Sequence, residues 1–125
     1  MNTFVSTPHA PKAIGPYSQG VLSNNLLFVS GQIPFVPETM NVVGDTIESQ
    51  TKQSLENVLA IVQAAGFEKE HIVKCTVYLK DMNQFALMNQ VYATFFGDHK
   101  PARAAVEVAR LPRDVLVEID AICLK

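Results

Sequence analysis

The clearest feature along the chain is a change in the spacing of its apolar residues. From Ile72 to Leu79 they alternate, with Val73, Cys75, Val77 and Leu79 on one face and Lys74, Thr76 and Tyr78 on the other. That period of two predicts a half-buried strand. On either side of it the spacing lengthens to that of a helix. Ile47, Leu55, Val58, Leu59, Val62 and Ala65 share one helical face. Asp45 opens this first helix with Glu48 three residues on, a capping-box spacing, and Gly66 is placed to end it. Phe85, Met88, Tyr92, Phe95 and Phe96 form the stripe of a second helix, entered through Asp81 and Gln84 and ended by Gly97.

The remaining strands lie at the two ends. Asn2–Ser6 reads as an edge strand, and Pro8, Pro11, Gly15 and Pro16 force an irregular loop after it. Val21-Leu22 and Leu26–Ser30 form a hairpin about Ser23-Asn24-Asn25, and Gly31–Gly44 reads as a long loop. Ala104–Ala109 and Val115–Leu124 are two more strands, with Leu111-Pro112-Arg113-Asp114 as the turn. Folded as a simple hairpin, they set Arg103 opposite Ile122 and Glu107 opposite Glu118. The order β-β-β-α-β-α-β-β predicts one α+β domain over residues 1–125, a mixed sheet with both helices on one face. The other face needs cover, and a second subunit is the expected source.

Composition bounds the function. The chain has 125 residues, 48% hydrophobic and 18% charged. A domain of this size buries roughly two-thirds of its unfolded surface. Ten basic and twelve acidic residues give a net charge of −2, with no run of Lys or Arg. Nucleic-acid binders carry a basic face, so nucleic acid is not an expected partner. Cys75 and Cys123 sit in apolar strands without C-x-x-C spacing, which predicts free structural thiols. No apolar run is long enough to span a membrane and no secretory leader is evident, so a cytoplasmic protein is expected. His9, His71 and His99 lack metal-ligand spacing, and neither a metal nor an organic cofactor is expected.

Two charged residues stand out. Arg103 begins the apolar run Ala104-Ala105-Val106. Its planar fork suits a carboxylate ligand, although position alone favours an ion pair with a nearby Glu. Glu118 shares its strand face with Leu116, Asp120, Ile122 and Leu124. A carboxyl beside apolar neighbours can hold its proton to higher pH and act as a proton acceptor or donor; the same pattern also fits an ordinary solvent face. Tyr17, in Gly15-Pro16-Tyr17-Ser18, offers a phenol. Ser30-Gly31 borders a strand where backbone N–H groups can be approached closely.

Taken together, these segments resemble the RidA/YjgF family of reactive-intermediate deaminases. The resemblance rests on Ala13–Gly20, Ser30-Gly31-Gln32-Ile33-Pro34, Asn89 with Tyr92 and Phe95-Phe96, Pro101-Ala102-Arg103, Val106–Pro112, and Val117-Glu118-Ile119. It implies a chorismate-mutase-like α+β fold assembled as a homotrimer with clefts between subunits. The implied activity is hydrolysis of 2-imino acids, such as 2-iminobutanoate and 2-iminopropanoate, to 2-keto acids and ammonia. Pyridoxal-phosphate enzymes release such imines when they dehydrate threonine or serine. In this reading Arg103 clamps the substrate carboxylate and Glu118 positions or activates water. Tyr17, Ser30, Gly31 and Asn89 complete the cleft. Many members have Ser-Cys after the motif arginine, where this chain has Ala104-Ala105. Position 105 can then offer only a backbone contact, and the reaction must proceed without a thiol there. The competing classes are a non-catalytic metabolite-binding regulator and, against the charge balance, a translation inhibitor or endoribonuclease.

Overall fold

The computed structural model describes residues 2–125. Helix α1 (Ile47–Ala64) starts from Thr46, not Asp45. Thr46 is extended, so its hydroxyl accepts from the Ser49 N–H at 3.1 Å. That contact replaces the expected pairing of Asp45 with Glu48. Gly66, at φ +84°, ends the helix as its spacing predicts. Asp81 caps a single 3-10 turn, Met82–Gln84, by accepting from the Asn83 N–H. Helix α2 (Phe85–Phe96) follows directly.

The strands are β1 (Asn2–Val5), β2 (Gly20–Ser23), β3 (Leu26–Gln32), β4 (Phe35–Val36), β5 (Asn41–Val42), β6 (Ile72–Leu79), β7 (Ala102–Glu107) and β8 (Val117–Leu124). Six form one sheet in the order β1-β2-β3-β8-β6-β7, and β4 pairs with β5. That small pair occupies the segment expected to be a long loop. It is too short for a hydrophobic alternation to register in the sequence.

Both helices cover one face of the sheet. Leu55, Val58, Ile61 and Val62 of α1 and Met88, Tyr92 and Phe96 of α2 pack on Leu27, Val29, Cys75, Val77, Ile119 and Ala121. Val73 is an exception to the predicted alternation. The register between β6 and β8 shifts between Ile72 and Lys74, so Ile72 enters the core and Val73 is exposed. The opposite face carries exposed apolar side chains, with Phe4 74%, Phe28 45% and Leu124 48% accessible. Both cysteines are free and buried. No helix among the described residues is long and apolar enough to cross a membrane.

The expected hairpin between the last two strands does not form. β7 pairs in parallel with β6, with Arg103 opposite Cys75. β8 lies on the other side of β6, antiparallel, with Glu118 opposite Tyr78. The cause is α2, which carries the chain back along the sheet and makes β6-α2-β7 a parallel crossover unit. The chain then passes through Leu111–Asp114 to reach the slot between β6 and β3. Arg113 and Asp114 are both left-handed there, at φ 56° and 54°.

Candidate active site

β7 and α2 build the surroundings of Arg103. Its register partner Cys75 faces the helices, so Arg103 rises on the helix-backed side of an edge strand. Phe85, Asn89 and Tyr92 stand on one stripe of α2 and face it. Arg103 Nη1 donates to Asn89 Oδ1 at 2.6 Å. Its guanidinium lies 4.8 Å from the centre of the Tyr92 ring and 5.4 Å from that of Phe85. No Asp or Glu among the described residues pairs with it; the one ion pair there joins Lys80 to Asp114. The positional alternative of a surface ion pair is therefore not what the fold makes. A neutral amide and two aromatic faces fix the fork and leave donors for an anion. Asn89, Tyr92, His99, Lys100 and Arg103 share the walls of one cleft of about 390 Å³.

Beneath Arg103 lie the Cys75 thiol and the Tyr92 hydroxyl. Burial pushes the Cys75 thiol up to about 11 and also raises the Tyr92 phenol, whose hydroxyl faces Cys75. A thiol so disfavoured as thiolate is not a nucleophile at neutral pH. Burial likewise raises Cys123, to about 12.

Glu118 occupies the other face. Val117, Ile119, Ala121 and Cys123 are buried toward the helices, so Glu118 and Asp120 project from the open side of β8. β3 has an extra residue between Val29 and Gln32, where the pairing steps from Ala121 to Ile119. This bulge brings Gly31 directly under the Glu118 carboxylate, and a Cβ at position 31 would collide with it. The requirement at Gly31 is thus close approach, since its backbone is not left-handed. Burial, and secondarily the charge of Asp120, raises the Glu118 carboxyl above the ordinary glutamate range. Asp120 itself accepts from the Tyr78 hydroxyl at 3.0 Å.

Tyr17, Gly31 and Glu118 line one cleft of about 440 Å³ with Lys12, Ile14, Phe35 and Arg113. Ser30 is not among the residues that line this cleft. Its hydroxyl donates to the Ser18 carbonyl at 2.5 Å and ties down the Tyr17 loop. Ala105 lies two residues beyond Arg103 on the same side of β7, half-buried against the core. Within this chain, then, Tyr17, Gly31 and Glu118 come together, as do Asn89 and Arg103. The two groups lie on opposite faces of the sheet. The aromatic platform under Arg103 carries no motif of its own in the sequence, although Phe85 and Tyr92 flank Asn89 at helical spacing. Nor does any motif distinguish Arg113 from a turn residue. Among the described residues, no three His, Cys, Asp or Glu side chains gather as metal ligands.

The family model described as endoribonuclease L-PSP matches residues 7–125. The chain belongs to the YjgF/RidA family. A RutC family protein of Pyrococcus horikoshii is 56% identical over 125 residues, covering 100% of this chain and 99% of the relative. The 2-iminobutanoate/2-iminopropanoate deaminase of Escherichia coli K12 is 51% identical over 128 residues, covering 100% and 99%. The crystal structure of E. coli TdcF with bound serine superposes with a TM-score of 0.94 at 48% identity, covering 98% of each chain. The α+β fold with two helices on one face of a mixed sheet is thus the fold of this family.

Proposed function

We propose that this chain is a cofactor-independent deaminase that hydrolyses 2-imino acids, 2-iminobutanoate and 2-iminopropanoate among them, in clefts between the subunits of a homotrimer. The observation that carries the reading is Arg103, a guanidinium held by Asn89 and two aromatic rings with no acidic partner among the described residues. Such a fork is built for a carboxylate that arrives from outside. The deaminase name of the E. coli relative and the amino acid bound to TdcF agree with an α-carboxylate ligand. Arg103 and Glu118 face opposite sides of one sheet, so a substrate touching both needs the Arg103 face of one subunit against the Glu118 face of another. The exposed Phe4, Phe28 and Leu124 supply apolar surface for that assembly.

The chemistry follows from the two groups. Arg103 holds the carboxylate and presents C2 of the protonated imine. Water adds to C2 while Glu118 accepts its proton, giving a carbinolamine. Returning the proton to nitrogen lets the C–N bond break, so that R–C(=NH2+)–COO− and water yield R–CO–COO− and ammonium. A protonated imine is already electrophilic, so positioning and one proton acceptor suffice. The raised Glu118 carboxyl accepts a proton more readily than an ordinary glutamate. The net charge of −2 and the absence of a basic run do not favour the endoribonuclease reading.

The test is a coupled assay in which a threonine dehydratase generates 2-iminobutanoate and its disappearance is followed. The wild-type chain should accelerate its loss. Arg103→Ala should lower kcat/KM by about a hundredfold, the scale of removing a charged hydrogen-bond partner. Decay no faster than in buffer would sink the reading.

A further inference from the structure

We infer that the Glu118 cleft contains a second anion-binding subsite, formed by Arg113 with Lys12, that selects 2-imino acids whose side chain ends in a carboxylate. This rests on the deaminase reading above and deepens it by naming a substrate class. The Arg113 guanidinium stacks on Phe35, 5.1 Å from the ring centre, and both line the cleft that holds Tyr17 and Glu118. It has no acidic partner among the described residues. The adjacent Asp114 is already engaged, 3.1 Å from Lys80 Nζ. Lys12 lines the same cleft, also without an acidic partner among the described residues. Two cations without an ion-pair partner among the described residues therefore share a cleft with one carboxyl, and Ile14, Ile33 and Phe35 add apolar lining.

The backbone supports a purpose for this arrangement. Arg113 is left-handed at φ 56° in a position that glycine or asparagine fills at lower cost. Its long cationic side chain lies over the Phe35 ring in the lining of the cleft, where an anion can reach it. Arg103 takes the α-carboxylate, so the anion that meets Arg113 is a different one. A 2-imino dicarboxylate carries both, with a short methylene segment to lie against Ile33 and Phe35. The hydrolysis is unchanged: water adds at C2, ammonium leaves, and the side-chain carboxylate takes no part beyond binding.

The experiment compares kcat/KM for two imines generated in situ by amino-acid oxidases, one from alanine and one from glutamate, in the wild-type chain and in Arg113→Asn. Asparagine tolerates the left-handed backbone, so the fold is kept while the cation is lost. The ratio of acidic to apolar kcat/KM should fall roughly tenfold or more in Arg113→Asn and by less in Arg113→Lys. A ratio equal to the wild-type value overturns the subsite and leaves the deaminase reading standing. If the wild-type chain accelerates neither hydrolysis, the deaminase reading fails instead. Calorimetry with 2-ketoglutarate and pyruvate then decides the subsite: tighter binding of the dicarboxylate that is lost in Arg113→Asn sustains it, and equal binding overturns it.

Discussion

The two walls of the proposed cleft are held in different ways. Around Arg103 the support is regular structure. A parallel strand and one helix stripe fix the guanidinium through a single short hydrogen bond and two rings. Around Glu118 the support is irregular. The Tyr17 loop is pinned by Gln19, whose amide accepts from the Thr7 N–H at 2.7 Å and donates to the carbonyls of Thr7, Ala10 and Pro11. Asn57 of α1 donates to the carbonyls of Ile33 and Phe35, and Gln50 bonds Gly44 and the Leu116 N–H. Gln19, Gln50 and Asn57 are buried polar residues. Loops that line a site must satisfy their backbone groups somewhere, and here buried amides do what sheet ladders do elsewhere. One wall therefore depends on packing and the other on a few side-chain amides.

Removing an amide pin should break that contrast most strongly. Gln19→Ala strands the buried Thr7 N–H and several carbonyls. It is expected to cost roughly 3 kcal/mol, since each buried group left unpaired costs about 1–3 kcal/mol. Chemical denaturation should read that loss. The proposed activity should fall with it, because Tyr17 loses its seat. Stability within about 0.5 kcal/mol of wild type, the scale of an ordinary surface substitution, would show that the loop is held by other means. Gly31→Ala should cost less, about 1–3 kcal/mol, as overpacking does. Its added methyl must push the Glu118 carboxylate aside, so activity should drop while Arg103-dependent binding of a 2-keto acid persists. If binding and turnover fall together, the two walls are more tightly coupled than their separate supports suggest.

The difference between the walls also explains what could be read in advance. The alternation in β6 and β8 and the helical stripes predicted both helices, the central strands and the face on which Glu118 stands. Periodicity reports which side of an element is buried, but not which strand lies next to which. The pattern alone therefore suggests a hairpin across Leu111–Asp114, although α2 makes β7 a parallel neighbour of β6 and leaves β8 between β6 and β3. The cap falls at Thr46, one residue after the expected Asp45, because both are good caps and only the backbone decides between them. Arg103 and Glu118 were legible through their motifs. The bulge at Ser30-Gly31 was not, since a single inserted residue leaves no period. Nor was the placement of the two charges on opposite faces, which depends on the full pairing register.

The smallest effect tests the electrostatics of the Glu118 wall. Burial beside Asp120 raises the folded-state Glu118 carboxyl above its value in the unfolded chain. The folded protein therefore binds the proton more tightly than the unfolded chain does. Stability attributable to this group is highest below the ordinary glutamate range, near pH 4. It declines as pH rises to the elevated folded value, and the penalty is complete above it. Glu118→Gln removes the ionisation and keeps the shape. Its Tm should exceed the wild-type value at pH 7, and the gap should close near pH 4. The proposed turnover should show the opposite preference: the base form is needed, so wild-type kcat/KM should fall as pH drops through the elevated carboxyl value. A Tm gap that stays constant between pH 4 and pH 7 would mean that Glu118 ionises as freely in the fold as in water. The Glu118 wall would then be a solvated surface, not a desolvated partner to Arg103.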